Sequence, residues 1–234
     1  MRTFTVPNTH LHPELDYHAF CQCAYEYSGN FYDFIQTGDD ALTISFGDLP
    51  STGEAQSINI PCMQALVRGL TAGRQDDLAG LAHELNGILH LLGPRNLCAP
   101  WFYARVEPGR HRMQYVSAGH EPPLLVRGNG AVARLERTGA ALGLSTRGVH
   151  RQESIAIEPG DVLAIFSEAV PEQAVLEAMR SHPDAGSAEL TRLVLDGAQS
   201  TAEDRTFAAI RVVGACRHPL MDEHATEPLV LCAA

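Results

Sequence analysis

Residues 60–92 read IPCMQALVRGLTAGRQDDLAGLAHELNGILHLL, and the way this stretch folds decides how the rest of the chain must be arranged. Ile60, Met63, Leu66, Val67 and Leu70 recur at three- and four-residue steps, which lines one side of a helix until Gly73 stops it. A second helix is expected from near Gln75, with Leu78, Leu81, Leu85, Ile88, Leu89 and Leu92 on its apolar side and Gly93-Pro94 at its end. Two consecutive one-sided helices form a hairpin that has to cover a sheet.

Strand-like segments lie on both sides of that hairpin. From Tyr17 to Ile44, short runs rich in aromatic and β-branched residues are separated by Ser28-Gly29-Asn30 and Gly38-Asp39-Asp40, the pattern of an antiparallel meander. After the hairpin, strands are predicted over Cys98–Val106, Arg112–Ser117, Pro123–Val126, Val132–Leu135, Ser154–Ile157 and Val162–Phe166. Glu107-Pro108-Gly109, Gly128-Asn129-Gly130 and Glu158-Pro159-Gly160-Asp161 mark turns between them. Short helices over Gln173–Met179 and Ala188–Leu195 precede a last strand, Arg205–Val213. Strands in blocks with helices segregated between them indicate an α+β sandwich rather than alternating parallel α/β units. Residues 1–16 read as a polar lead-in that includes His10 and His12, 17–213 as one domain, and 214–234 as a tail without clear period.

Composition narrows the function. The net charge of -11 argues against a grip on nucleic-acid phosphates, and all 17 basic residues are Arg, so no lysine is present for Schiff-base or Walker-type phosphate chemistry. Neither a signal-like N-terminus nor a run of about 18 apolar residues occurs, which points to a soluble, cytoplasmic chain without membrane contact. Six cysteines are too few for a disulfide scaffold in a chain of 234 residues. Cys21 and Cys23 are spaced as two same-face strand residues, and with no second pair at zinc-like spacing they read as core thiols.

Acidic residues sit where strands end in turns: Asp48, Glu168 and the pair Glu203-Asp204. Such positions are usually just solvated, but widely separated hard-oxygen ligands are also what Mg²⁺ or Mn²⁺ requires. Only one of Glu203 and Asp204 can face a shared cleft, because neighbouring strand side chains point opposite ways.

Order along the chain adds specificity. Ser28-Gly29-Asn30-Phe31-Tyr32-Asp33-Phe34, Gly47-Asp48 with Gly53, and Ser117-Ala118-Gly119-His120-Glu121-Pro122-Pro123-Leu124 occur in sequence. They are followed by Gly139–Leu144, Pro159-Gly160-Asp161, Phe166–Glu172 and Glu203-Asp204-Arg205-Thr206. Together they resemble the ordered motifs of the stage II sporulation protein E and sigma-B regulator U family of phosphatase 2C-like serine/threonine phosphatases. The resemblance implies a four-layer α-β-β-α sandwich of two antiparallel sheets flanked by helices, with a two-metal cleft at one end. It implies that Asp48 bridges both metals and is the catalytic carboxylate, that the Leu49 carbonyl joins one metal, that Glu168 and Glu203 hold the other, with Asp204 one residue along able to compensate for Glu203, and that Asn30 stands in the outer shell. The implied partner is a phosphorylated anti-anti-sigma-like protein; the oligomeric state is left open, a homodimer included.

The departures from the family pattern bear on activity. Asn30 is an amide where the family has a carboxylate, Glu168 and Glu203 are each one methylene longer than aspartate, and Ala169 replaces a glycine. The expectation is at most one tightly held divalent ion in place of two, Mn²⁺ bound better than Mg²⁺, and a phosphatase of weakened activity; the alternative is an inactive module that sequesters its partner. His120 reads as a turn histidine bonded to backbone, and Trp101-Phe102-Tyr103 as strand core.

Overall fold

Apolar residues at period two, on two faces at once, build the molecule. The structure is a computed structural model and describes residues 12–24, 28–38, 40–49, 55–74, 76–93, 97–198 and 203–214. Gly53 and the 50–54 segment, Pro94, and the tail from residue 215 onward lie outside the described residues.

In chain order the elements are β1 (Leu15–Gln22), β2 (Asn30–Gln36), β3 (Leu42–Asp48), α1 (Ala55–Gly73), α2 (Leu78–Leu92), β4 (Trp101–Glu107), β5 (Arg112–Ala118), β6 (Leu124–Val126) and β7 (Val132–Arg134). They continue with β8 (Glu153–Ala156), β9 (Val162–Phe166), α3 (Glu172–Ser181), α4 (Ser187–Gly197) and β10 (Arg205–Val212). One antiparallel sheet runs β1-β10-β9-β6-β7 and the other β2-β3-β4-β5-β8.

Each sheet buries both faces. Between the sheets lie Tyr17 and Cys21 of β1, Tyr32 and Phe34 of β2, Ile44 and Phe46 of β3, Phe102 of β4 and Ile210 of β10. The intervening residues face outward into helices: Phe31, Trp101 and Tyr103 meet Met63, Val67, Leu81 and Leu85 of α1 and α2. On the other side Phe166, Phe207 and Ala209 meet Val175, Leu190 and Val194 of α3 and α4. The result is the four-layer α-β-β-α sandwich. A few polar contacts fix the α1 layer: Arg68 donates through Nε and Nη2 to both oxygens of the buried Asp33 carboxylate, each at 2.6 Å, and Thr71 meets the Tyr103 hydroxyl at 2.8 Å. No helix among the described residues is long and apolar enough to cross a membrane.

Two expectations change. The first three strands are not one meander: β2 and β3 pair, but β1 pairs with β10 along its full length, from Leu15↔Val212 to Gln22↔Arg205. A turn signal such as Ser28-Gly29-Asn30 shows that the chain reverses but not whether it returns to the same sheet, and here it crosses the sandwich. His12 is not a polar lead-in residue. It is 2% exposed, and its Nδ1 accepts from the Glu14 amide just before β1 begins.

Leu85 is fully buried under the sheet, whereas Leu91 on the same helix is 80% exposed. Leu85→Ala is therefore expected to lower unfolding free energy by about 2–5 kcal/mol in urea titrations, and Leu91→Ala to change it by less than about 0.5 kcal/mol. Equal effects of the two would contradict the assigned layer.

Candidate functional site

The face alternation that builds the core also decides which polar residues meet at its open end. Asn30 continues the inward face of Tyr32 and Phe34, and Asp48 that of Ile44 and Phe46, and the two are cross-strand partners at the last rung of β2 and β3. From the opposite sheet, Asp204 shares the parity of Thr206, Ala208 and Ile210, which puts it on the same inner side just before β10 starts. Asp33, one residue out of phase with Asn30, faces the helices and is occupied by Arg68.

A cleft of about 140 Å³ opens there, lined by Asn30, Phe46, Gly47, Asp48, Pro100, Gly119, His120, Glu121, Arg137, Ser167 and Glu168. Its floor is tight backbone. A Cβ on Gly47 would come within 2.6 Å of the Pro100 carbonyl oxygen, and Gly119, at φ +67°, would place one 2.7 Å from Ala141. Glycine is required at both positions.

Desolvation in this cleft raises the Asp48 pKa above the ordinary carboxylate value, and the negative charge of Asp204 raises it further. Asp204 is itself held in place: its Oδ1 accepts from the Ala24 amide at 2.6 Å, and its carbonyl accepts from the Asn30 side-chain amide at 3.4 Å. Neither of the neighbouring acids lines the cleft itself: Glu203 is exposed, and Asp204, half-buried, acts on Asp48 through its charge. Glu168 is an exposed rim residue after β9. Leu49 packs its side chain into the helix-side core, and its amide donates to the Gly29 carbonyl at 2.9 Å.

His120 is buried beside Phe46 and Phe102, with Nδ1 2.6 Å from the Glu121 carbonyl oxygen. Burial lowers its pKa to about 4, so the ring is neutral at physiological pH and serves the turn rather than proton delivery. Sequence reading missed Arg137, the cation among the lining residues. Its Nε donates to the His120 carbonyl at 2.9 Å and its Nη2 to Glu121 at 3.2 Å. No local pattern marks it, because it reaches the cleft from a connection anchored to β5, where the Thr138 amide donates to the Ser117 carbonyl at 2.8 Å.

Desolvation and the nearby charge of Asp204 make the Asp48 carboxylate costly, the condition that a cation relieves. Among the described residues no three His, Cys, Asp or Glu side chains come together as a metal-holding group, and Asn30 brings no charge. This donor set does not fit two ions.

Comparison with known proteins places the chain in context. The sequence model for stage II sporulation protein E matches residues 44–218. Phosphoserine phosphatase RsbU of Bacillus subtilis is 24% identical over 193 residues, which covers 81% of this chain and 55% of RsbU. The chain spans between 27% and 55% of the length of the curated relatives it matches. Among solved structures, the RsbU and RsbW domains of a Mycobacterium tuberculosis protein superpose with a TM-score of 0.76 at 20% identity, over 86% of this chain and 62% of that one. The phosphatase 2C domain of SpoIIE from Bacillus subtilis, solved with a fragment of its regulatory domain, gives 0.71 at 14% identity, over 85% and 62%. At these identities the structural likeness establishes the fold.

A carboxyl with a raised folded pKa binds more protons in the native than in the unfolded state. Its contribution to stability therefore falls as pH rises from the unfolded value, about 4, through the folded one. In chelated buffer at neutral pH, Asp48→Asn is expected to melt at a higher temperature than wild type, with the gap closing as pH is brought below about 4. Mn²⁺ should then raise the Tm of wild type and not of Asp48→Asn. A variant that melts lower than wild type at neutral pH without metal would contradict the strained carboxylate.

Proposed function

The chain belongs to the stage II sporulation protein E family, and on that premise we propose that it is a metal-dependent protein serine/threonine phosphatase domain of low activity. Its substrate would be a phosphoserine or phosphothreonine on a regulatory partner of the anti-anti-sigma kind, met in the cytoplasm. The observation that carries the reading is the Asp48 carboxylate at the open end of the sandwich, raised in energy by burial and by the nearby charge of Asp204.

Asp48 and Asp204 would hold the ion, with Glu168 at the rim as a longer, more mobile third arm. When bound, a divalent ion supplies charge stabilisation at phosphoryl oxygens and lowers the pKa of a coordinated water. The chain's own residues do the rest. Arg137 offsets the dianionic charge of a phosphate monoester in a cleft otherwise lined by Asp48, Glu121 and Glu168. Phe46, Gly47 and Gly119 wall the cleft closely, which limits water and strengthens each charge interaction within it. Neutral His120 holds the Glu121 carbonyl, and Arg137 holds the His120 carbonyl, so the rim keeps one shape.

The loss of one carboxylate at Asn30 accounts for weakened metal binding, since fewer negative charges offset the cation. Mn²⁺ should bind better than Mg²⁺, because carboxylate and amide sites favour transition ions over the geometry-strict Mg²⁺. A second reading rests on the same residue: Asn30 spends its amide on the Asp204 carbonyl, an arrangement equally suited to a module that binds a partner without hydrolysing it.

Hydrolysis of a chromogenic phosphate monoester across a Mn²⁺ titration separates the two. Wild type is expected to show slow, Mn²⁺-dependent turnover, Asp48→Ala to lose it by about 100-fold or more, and the double variant Asn30→Asp, Glu168→Asp to exceed wild type by about 10-fold. Fast Mg²⁺-supported turnover by wild type would overturn the weakened site. Absence of metal binding even in the double variant would favour the sequestering module.

A further inference from the structure

Two thiols lie beside the acid pair, and the proposed hydrolysis does not use them. Cys21 is the seventh residue of β1 and faces inward; Cys23 follows the strand's last residue, Gln22. Two residues apart in extended chain, their side chains leave the same side, and the two Sγ atoms stand 3.7 Å apart. The Ser28 hydroxyl is 3.4 Å from the Cys21 sulfur. Cys21 is buried and Cys23 half-buried, so Cys23 is the more accessible residue of the pair. Both are free thiols.

What adjoins the pair sets it apart from ordinary core cysteines. The residue after Cys23 is Ala24, whose amide donates to Asp204 Oδ1 at 2.6 Å. Asp204 in turn acts electrostatically on Asp48. A change at the two sulfurs is thus one peptide unit from the hydrogen bond that positions the site's second carboxylate.

We propose that Cys21 and Cys23 form a reversible dithiol–disulfide pair, oxidised by peroxide, whose closure shifts Ala24 and with it Asp204. In the first step the Cys23 sulfur attacks one peroxide oxygen, the O–O bond breaks, Cys23 becomes a sulfenic acid, and its thiol proton leaves with the other oxygen as water. In the second step the Cys21 sulfur attacks the Cys23 sulfur, the S–S bond forms as the S–O bond breaks, and the Cys21 proton leaves with that oxygen as a second water. Two thiols lose two electrons and two protons, and hydrogen peroxide becomes two waters.

The geometry sets both the feasibility and the reversibility of the bond. The sulfurs must approach from 3.7 Å to about 2.05 Å. Two residues of extended chain span about 6.6 Å, the upper end of the Cα separation that a disulfide accepts, so closure has to shorten the backbone between them. The ladder with β10 ends at Gln22↔Arg205, which leaves Cys23 and Ala24 free of strand pairing and able to move. A disulfide closed against that span is strained, and strained disulfides are readily reduced by thiols.

The test uses the full chain. After hydrogen peroxide and then iodoacetamide, chymotrypsin releases residues 21–25, which carry both thiols and no other cysteine. The expected result is a peptide lighter by two hydrogens with neither alkyl group, and both alkyl groups recovered after treatment with glutathione. In Cys21→Ser the remaining Cys23 should instead be trapped by dimedone as a sulfenic acid. As a second readout, the backbone amide NMR signal of Asp204 should move between reduced and oxidised wild type and not in Cys23→Ser. Two alkylated thiols after peroxide, a bond from either cysteine to Cys62 or Cys98, or an Asp204 signal indifferent to oxidation would each overturn the proposal. Neither readout depends on phosphate-ester hydrolysis, so a negative result here stands apart from a failure of the proposed activity.

Discussion

Burial on both faces of every central strand is the constraint from which the rest of the structure follows. Burial of one face already fixes register, because a one-residue slip turns the apolar set to solvent; with both faces covered, the same slip sends every side chain into the wrong layer. In β3, Ile44 and Phe46 fill the space between the sheets while Trp101 of the paired strand β4 sits under the helices, and register is thereby held to the last rung. At that rung the inward positions stop being apolar. Asn30, Asp48 and, from the opposite sheet, Asp204 occupy places where the core pattern would put a large hydrophobe. The candidate site is the continuation of the core's own lattice into polar residues.

This origin explains the energetics of the cleft. Phe46 and the close-packed backbone at Gly47 and Gly119 lower the local polarisability around Asp48, so its charge is costly and Asp204 makes it costlier. In chemical terms the pair is incomplete without a cation. Arg137 does not complete it, since its guanidinium is engaged by the His120 carbonyl and by Glu121 at the rim. The cleft therefore keeps its guanidinium at the mouth and its costly carboxylate, Asp48, further in.

The connection between Ala24 and Asp204 joins the end of β1 to the beginning of β10, the two strands that pair along their whole length. Because β1 and β2 belong to different sheets, the chain leaves β1 at this end of the sandwich, and Ala24 lies beside Asp204. Thiols in that segment therefore stand near the acid pair for topological reasons.

Local pattern was sufficient for the elements themselves. The stripes at Ile60–Leu70 and Leu78–Leu92 mark α1 and α2, and β9 falls on Val162–Phe166 as its composition indicates, because helix and strand periods are written in consecutive residues. The sandwich class was legible too, from strands in blocks around a one-sided helical hairpin. Of the residues that the ordered motifs single out, Asn30, Asp48 and Glu168 line the cleft. Tertiary structure alone decided the remainder. Which sheet β1 joins depends on pairing with a strand nearly 200 residues away, since Leu15 lies opposite Val212. Whether Glu203 or Asp204 turns inward depends on the parity that β10 inherits from that pairing. The entry of Arg137 into the cleft depends on bonds between its loop and β5. Sequence records which faces must be buried; only the folded chain determines what each face meets, because contacts between distant strands are set by packing and register rather than by neighbouring residues.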